Sequence, residues 1–215
     1  AASIVPIAVA RSTVRIEIPF MIAVTALLFY QGRDGSISLA DGGVLMVAFA
    51  AYMMYLYTMA MKSNVDSDLE EPGLPLGRCL LGAVGGLALI IAGSNVTVGA
   101  ATSIATYAGL SERFIGLTIV ALGTSLPELF TSVAAARRGN ADIAIGNIVG
   151  SNIFNILFVV GLSSLIIDIP FASAFNFDTY VALGAAVLLL LCVLRTQKLQ
   201  RWAGALMLVC YAAYL

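Results

Sequence analysis

An all-α, polytopic bundle of membrane helices is the fold class this sequence predicts, and three observations predict it. Of the 215 residues, 60% are hydrophobic and 11% charged, where an ordinary soluble domain is about 25% charged. The mean hydropathy of +0.99 means more apolar surface than one core of this length hides from water, so lipid must cover the remainder. Charges and turn residues also divide the apolar residues into seven runs, over about 18–30, 44–61, 77–108, 112–136, 141–167, 179–194 and 202–215.

The runs organise the chain in order. The first and last are short for about 30 Å of hydrocarbon. Between the second and third, Lys62 to Pro75 carries Asp66, Asp68, Glu70, Glu71 and Pro72 and reads as a solvated hydrophilic loop. Seven spans put the termini on opposite sides. With the N-terminus cytoplasmic, Arg11, Arg15, Lys62, Arg78, Arg137, Arg138, Arg195, Lys198 and Arg201 fall inside, and Arg33 and Arg113 outside. That asymmetry follows the positive-inside rule.

The sequence also echoes itself at a distance of about 161 residues. Val14-Arg15-Ile16-Glu17 resembles Phe175-Asn176-Phe177-Asp178, and Gly43-Val44-Leu45-Met46 resembles Gly204-Ala205-Leu206-Met207. Ala1 to Ile7 likewise echoes Ser163 to Ile169. On this reading residues 1–61 are the last two helices of a first repeat half, 62–77 a cytoplasmic loop, and 78–215 a complete second half of five helices. An odd number of spans per copy inverts one copy relative to the other, which is the inverted-repeat plan of secondary transporters. The partner of residues 57–160 would precede Ala1, and an N-terminus without methionine suggests processing or truncation.

Composition excludes several activities. The chain has no histidine, which removes histidine-dependent hydrolases, HExxH zinc sites and histidine-ligated haem. A net charge of −1 and a pI near 5.3 offer no basic face to nucleic acid. Cys79, Cys192 and Cys210 lie in apolar surroundings without CxxC spacing and read as small hydrophobes. No enzymatic chemistry and no bound cofactor is expected.

Among the acidic residues Glu128 stands apart. It follows Glu112 by 16 residues and precedes Arg137 by 9, roughly 24 Å and 14 Å of helix, which puts it inside the hydrocarbon slab. A carboxylate there costs several kcal/mol unless it meets a cation, a proton or donors. Its setting, Gly123-Thr124-Ser125-Leu126-Pro127-Glu128, predicts a helix that breaks and restarts at Pro127, freeing carbonyls near Ala121 and the hydroxyls of Thr124 and Ser125. Such oxygens beside one carboxylate suit a hard cation. A simple capping box, Ser125-x-x-Glu128, is the alternative.

The next span carries a second polar cluster at matching depth, Gly146-Asn147-Ile148-Val149-Gly150-Ser151-Asn152-Ile153-Phe154-Asn155, with Asn155 13 residues from both Asp142 and Asp168. Asn147, Ser151 and Asn155 share one helix face, while Gly146 and Gly150 have the spacing that lets helices approach closely. Oxygen ligands and plain helix glue are both consistent with it.

At these two clusters the chain resembles the calcium/cation antiporter superfamily, most closely the prokaryotic sodium/calcium exchanger type. The carriers are Gly116-Leu117-Thr118-Ile119-Val120-Ala121-Leu122-Gly123-Thr124-Ser125-Leu126-Pro127-Glu128 and Gly146-Asn147 through Asn155, together similar to one complete α-repeat over about 92–167. The resemblance implies ten helices in two inverted halves in a prokaryotic inner membrane, with ions bound where two α-repeats meet. It further implies that Glu128 ligates both Ca2+ and Na+, that Thr124 and Ser125 contribute oxygens, that the Ala121 carbonyl faces Na+, and that Ser151 and Asn155 serve from the second helix. The first α-repeat, which supplies the family's other glutamate, has no counterpart here; a missing half or a second copy is the expected partner, beside the lipid bilayer. Glutamate after the proline, and no Gly-Asn-x-x-Glu pattern, favour sodium over potassium or proton coupling. Some relatives carry Asp where Asn155 stands. A proton-coupled cation antiporter and a non-transporting half or membrane scaffold are the competing readings.

The span count and charge asymmetry make a direct prediction. Cysteine accessibility mapping in intact membranes should find Lys62 to Pro75 and Arg195 to Arg201 on the cytoplasmic side and Leu215 on the other. Both loops on the outer side would contradict the orientation, and Leu215 on the same side as the loops would contradict the count.

Overall fold

The computed structural model describes residues 2, 6–63, 75–110, 115, 119 and 121–214. The acidic loop, Glu112, Arg113 and parts of the Gly116 to Glu128 motif lie outside the described residues. The protein is an all-α integral membrane protein. Its helices are α1 (Ile18–Gln31), α2 (Leu39–Ser63), α3 (Leu76–Tyr107), α4 (Ala121–Thr124), α5 (Leu126–Arg137), α6 (Ala141–Phe154), α7 (Gly161–Ser164), α8 (Ala174–Leu194) and α9 (Arg201–Tyr214). Two π-wound segments extend them, Thr13–Glu17 leading into α1 and Asn155–Val160 joining α6 to α7.

Five helical stretches among the described residues are long and apolar enough to cross a membrane: Thr13–Asp34, Leu39–Lys62, Gly77–Tyr107, Ile143–Ser164 and Ala174–Leu194. They match five of the seven sequence runs. The first begins earlier than the apolar run because Glu17 does not end the helix: its Oε2 accepts the Thr13 hydroxyl at 3.0 Å inside the π turn, and both residues are buried. The run over 112–136 is broken at Ser125 and only partly described, and α9 has 14 residues.

The described chain forms two compact units, residues 1–66 with 132–214, and residues 67–131 with 215. In the first unit α1 packs along α8 and α2 packs against α7 and the second π segment. Ile18, Leu45, Val149, Ile153, Leu157 and Val193 are fully buried there. Aromatic pairs bind the same helices: Phe49 meets Phe154 and Phe158 at 5.9 and 5.1 Å, and Phe29 meets Tyr180 at 5.0 Å. Ser38 caps α2, its N–H and hydroxyl both donating to the Asp41 carboxylate, and so satisfies donors that a helix start leaves open.

Two short antiparallel ribbons expose the internal relation of this unit. β1 (Ile7–Ala8) pairs with β4 (Lys198–Leu199), and β2 (Ser36–Ile37) pairs with β3 (Ile169–Pro170). Every residue of the first two strands has a counterpart 162 positions later in the others, and the pairing Ile7 with Leu199 becomes Ile169 with Ile37. The flanking hydrogen bonds repeat at the same shift: Val9 N–H donates to Gln197 O at 2.8 Å, and Phe171 N–H donates to Gly35 O at 2.8 Å. Gly35 and Gln197, also 162 apart, both have positive φ, 97° and 50°. Only glycine adopts that conformation freely, so Gln197 is held in it by the shared turn. The shift equals that of the Ala1 to Ile7 echo and is one residue longer than that of the other two echoes.

The second unit consists mainly of α3, which ends at the left-handed Gly109 (φ 77°) with Leu110 N–H bonded to Ala105 O and Gly109 N–H to Thr106 O, a Schellman stop. The large apolar side chains of α3, such as Leu81 and Leu89, are about three-quarters exposed, as lipid-facing residues are.

Close packing of α2 on α7 yields a stability prediction. A Cβ added at Gly42 would collide with Ser164 Oγ and sit 2.8 Å from the Gly161 carbonyl oxygen, whereas nothing lies within 4 Å of one added at Gly43. Because a backbone oxygen cannot swing aside, Gly42→Ala should cost about 1–3 kcal/mol, read as a lowered melting temperature in detergent, with Gly43→Ala near wild type. Equal melting of the two variants would contradict the packing described.

Candidate ion-binding site

The candidate residues lie on two helices that are consecutive in the chain. Helix propagation stops at Thr124 because Pro127 lacks the N–H that an unbroken helix would use, and it resumes at Leu126, one residue before the position expected from sequence. Leu129 N–H bonds to Ser125 O at 3.0 Å, closing the first turn of α5. Pro127 therefore occupies a first-turn position where its missing donor costs nothing. Glu128 sits in the same turn, where the N-terminal end of the helix dipole favours a negative charge. Its carboxylate is half-buried, with Oε2 shut off from the surface, while Thr124 and Ser125 are exposed. Ala121 opens α4.

The short α4 lies tightly on α3. A Cβ at Gly123 would collide with Val98 Cγ2 and come within 3.1 Å of Val98 Cβ, so glycine is what lets the break approach α3. Beside it a cavity of about 350 Å³ opens between α3 and the start of α5, with Gly93, Ser94 and Thr97 on one wall and Leu126 and Phe130 on the other. Ser94 and Thr97 lay in an apolar run and attracted no notice in the sequence; the signal was there as Gly93-Ser94-Asn95-Val96-Thr97.

The second helix carries Asn147, Ser151 and Asn155. Asn147 and Ser151 are half-buried and Asn155 is exposed. The α winding ends at Phe154 and the π segment begins at Asn155 itself. The simple four-residue face expected from the spacing therefore changes pitch at its last member. π turns commonly accompany functional positions. Ser151 Oγ and Asn152 Nδ2 donate back to the Ile148 carbonyl, at 3.1 and 2.8 Å. Among the described residues nothing stands within 4 Å of a Cβ added at Gly146 or Gly150. The close approach that their spacing allows is thus not made by any described element, while on the same helix Asn147 Nδ2 donates to Ser132 Oγ at 3.2 Å.

Two residues escaped the sequence reading. Ser132 is 1% exposed and follows Glu128 by one helical turn; a serine in the run Thr131-Ser132-Val133-Ala134 looked like small-residue packing. Glu17 is 9% exposed, a burial that its place before the first apolar run does not suggest. Its signal was Thr13 four residues earlier, a helical hydrogen-bonding distance.

Comparison with known proteins decides the family. Residues 79–215 match the family described as "Sodium/calcium exchanger protein". The chain belongs to the sodium/calcium exchanger family. This exchanger chain is 37% identical to the candidate antiporter CaxA of Alkalimonas amylolytica, over 97% of its own length and 69% of that protein's. It is 35% identical to the inner membrane protein YrbG of Escherichia coli, over 96% of this chain and 67% of the relative. Its fold superposes on the sodium-calcium exchanger NCX_Mj, in crystals soaked with 10 mM Na+ and 10 mM Sr2+, with a TM-score of 0.78 and 31% identity, covering 99% of this chain and 68% of that one. The exchanger chain thus spans about two thirds of these relatives. Family membership, the motif between Gly116 and Glu128 and the interrupted α4–α5 helix all fall in the part that the family match covers.

Proposed function

We propose that the chain exchanges Na+ for Ca2+ as part of a secondary active transporter of the inner membrane, working by alternating access. Cation antiport is the family's activity; the finer reading rests chiefly on one observation, the helix interrupted between Thr124 and Leu126 with Glu128 in the restarting turn. At that break the hydroxyls of Thr124 and Ser125 stand in sequence directly before the turn that carries the Glu128 carboxylate. Oxygens of this kind, with a negative charge, are what Ca2+ and Na+ prefer.

In this reading Glu128 ligates both ions and is the charge for which they compete. Thr124 and Ser125 lend hydroxyl oxygens, the Ala121 carbonyl serves Na+, and Ser151 and Asn155 contribute from α6 and the π segment. Sodium coupling is supported by the glutamate after Pro127 and by relatives named as sodium/calcium exchangers, such as MaX1 of Methanosarcina acetivorans. Alternating access is supported by the ribbons that repeat at 162 residues on the two ends of the first unit, the arrangement of inverted repeats that rock about a shared site. Ca2+ brings two charges into a poorly screened site, so a second carboxylate, from another half or another copy, is expected to complete it.

The test is Glu128→Gln in the full-length protein, assayed for gradient-driven Ca2+ uptake in proteoliposomes. The amide retains shape and one oxygen but loses the charge, so uptake should fall to background while the melting temperature stays near wild type. If Glu128 only capped α5, the amide would serve nearly as well. Normal uptake by Glu128→Gln would end the ion-site reading.

A further inference from the structure

A cavity of about 370 Å³ opens between the end of α1 and the start of α8, both in the first unit, a volume within the roughly 300–1,000 Å³ of small-ligand sites. Backbone ties its walls together: β2 pairs with β3, Phe171 N–H donates to Gly35 O at 2.8 Å, and the Phe171 ring stands where a Cβ on Gly32 would be. Arg33 and Asp34 line it from one side and Ser173 and Asn176 from the other, with the Phe29–Tyr180 ring pair completing it. Arg33 and Asp34 are both exposed, so a cation and an anion are offered side by side. α8 begins next to Ser173, and the positive end of its dipole adds to the charge of Arg33. The spans Thr13–Asp34 and Ala174–Leu194 both end at this cavity, so it lies where the chain leaves the apolar layer. In the same stretches Tyr30, Phe177 and Tyr180 are more than half exposed, as aromatic rings at a membrane interface are.

The internal repeat shows what the turn itself requires. At the shift of 162, Asp34 and Ser36 become Thr196 and Lys198. Ser36 N–H donates to Asp34 Oδ1 at 3.3 Å, and Lys198 N–H donates to Thr196 Oγ1 at 3.4 Å. A neutral hydroxyl closes the same turn, so the turn does not need the charge of Asp34. Arg33 recurs as Arg195, whereas Ser173 and Asn176 correspond to Arg11 and Val14. The balanced pair of charges with a hydroxyl and an amide beside it therefore belongs to the Arg33 copy of the turn.

We propose that this cavity binds the headgroup of a zwitterionic aminophospholipid, with its phosphate on Arg33 and the start of α8 and its ammonium on Asp34. One headgroup carrying both charges meets both side chains, whereas a simple anion would face Asp34 and a simple cation Arg33. The Ser173 hydroxyl and Asn176 amide supply further donors to phosphate oxygens, and the rings of Phe29 and Tyr180 suit the apolar glycerol end. Nothing in this depends on the reading of Glu128.

Thermal unfolding of the delipidated full-length protein in detergent tests this, titrated with phosphatidylethanolamine, with phosphatidylglycerol, which has the phosphate without the ammonium, or with soluble phosphoethanolamine. For the wild type, phosphatidylethanolamine should raise the melting temperature at about tenfold lower concentration than phosphatidylglycerol, the scale of one charge-assisted hydrogen bond. Phosphoethanolamine should have no effect at the concentration where that lipid saturates. Asp34→Asn, which keeps an acceptor for Ser36, should bring the two lipids level, and Arg33→Gln should weaken both about tenfold. Equal half-saturation by the two lipids in the wild type, an Arg33→Gln that leaves both unchanged, or phosphoethanolamine as effective as the lipid overturns the proposal. If Arg33→Gln does not fold, Asp34→Asn decides alone, since a preference for phosphatidylethanolamine that survives loss of the carboxylate also overturns it.

Discussion

A helix interrupted at Ser125 restarts with first-turn donors that have no partner within the helix, and that constraint shapes its surroundings. Pro127 denies the helix its donor, and the chain resumes at Leu126 with a carboxylate in the first turn. A carboxylate in an apolar setting is costly unless something positive or protic joins it. Each neighbouring feature serves the break. Gly123 admits it against Val98 of α3, the dipole of α5 favours the charge on Glu128, and the hairpin to α6 brings a second run of polar side chains into the same sequence neighbourhood. Under the proposed function, a hard cation is what meets the charge on Glu128.

The first unit shows how the surrounding frame is tied. Its two ribbons are related residue by residue at a shift of 162, down to the positive φ of Gly35 and Gln197. A carboxylate–tyrosine link closes the end of one such half, with Tyr214 OH donating to Asp178 at 2.7 Å. Tyr52, 162 residues before Tyr214, likewise has a carboxylate, Glu17, within electrostatic reach. Hydrogen bonds that recur after so many residues are hard to obtain by chance between unrelated helices, whereas apolar sequence similarity is easily produced by composition alone.

That difference explains what was legible in the sequence. Membrane spans follow from hydropathy because lipid accepts apolar side chains on every face, and five of them stand where the runs are. Glu128 and the break at Gly123 to Pro127 were visible because a charge and a proline are rare at such depth. The repeat was visible only as an echo of about 161 residues, since the atoms that prove the register are backbone atoms. The burial of Glu17 was not legible because it depends on Thr13 and on packing against later helices. Ser132 was invisible because its partner, Asn147, is 15 residues away across a turn, and the π winding from Asn155 leaves no signature in residue type. The spacing of Gly146 and Gly150 permits a helix to approach without requiring one, and no described element does.

The central claim is that the charge on this interrupted helix couples Ca2+ movement to Na+. Ca2+ uptake into proteoliposomes holding the full-length protein, driven in turn by an outward Na+ gradient and by a pH gradient without Na+, tests it most directly. The account predicts uptake under the Na+ gradient, abolished when Na+ is equal on both sides, and none under the pH gradient. Uptake that follows the pH gradient and ignores Na+ would contradict it.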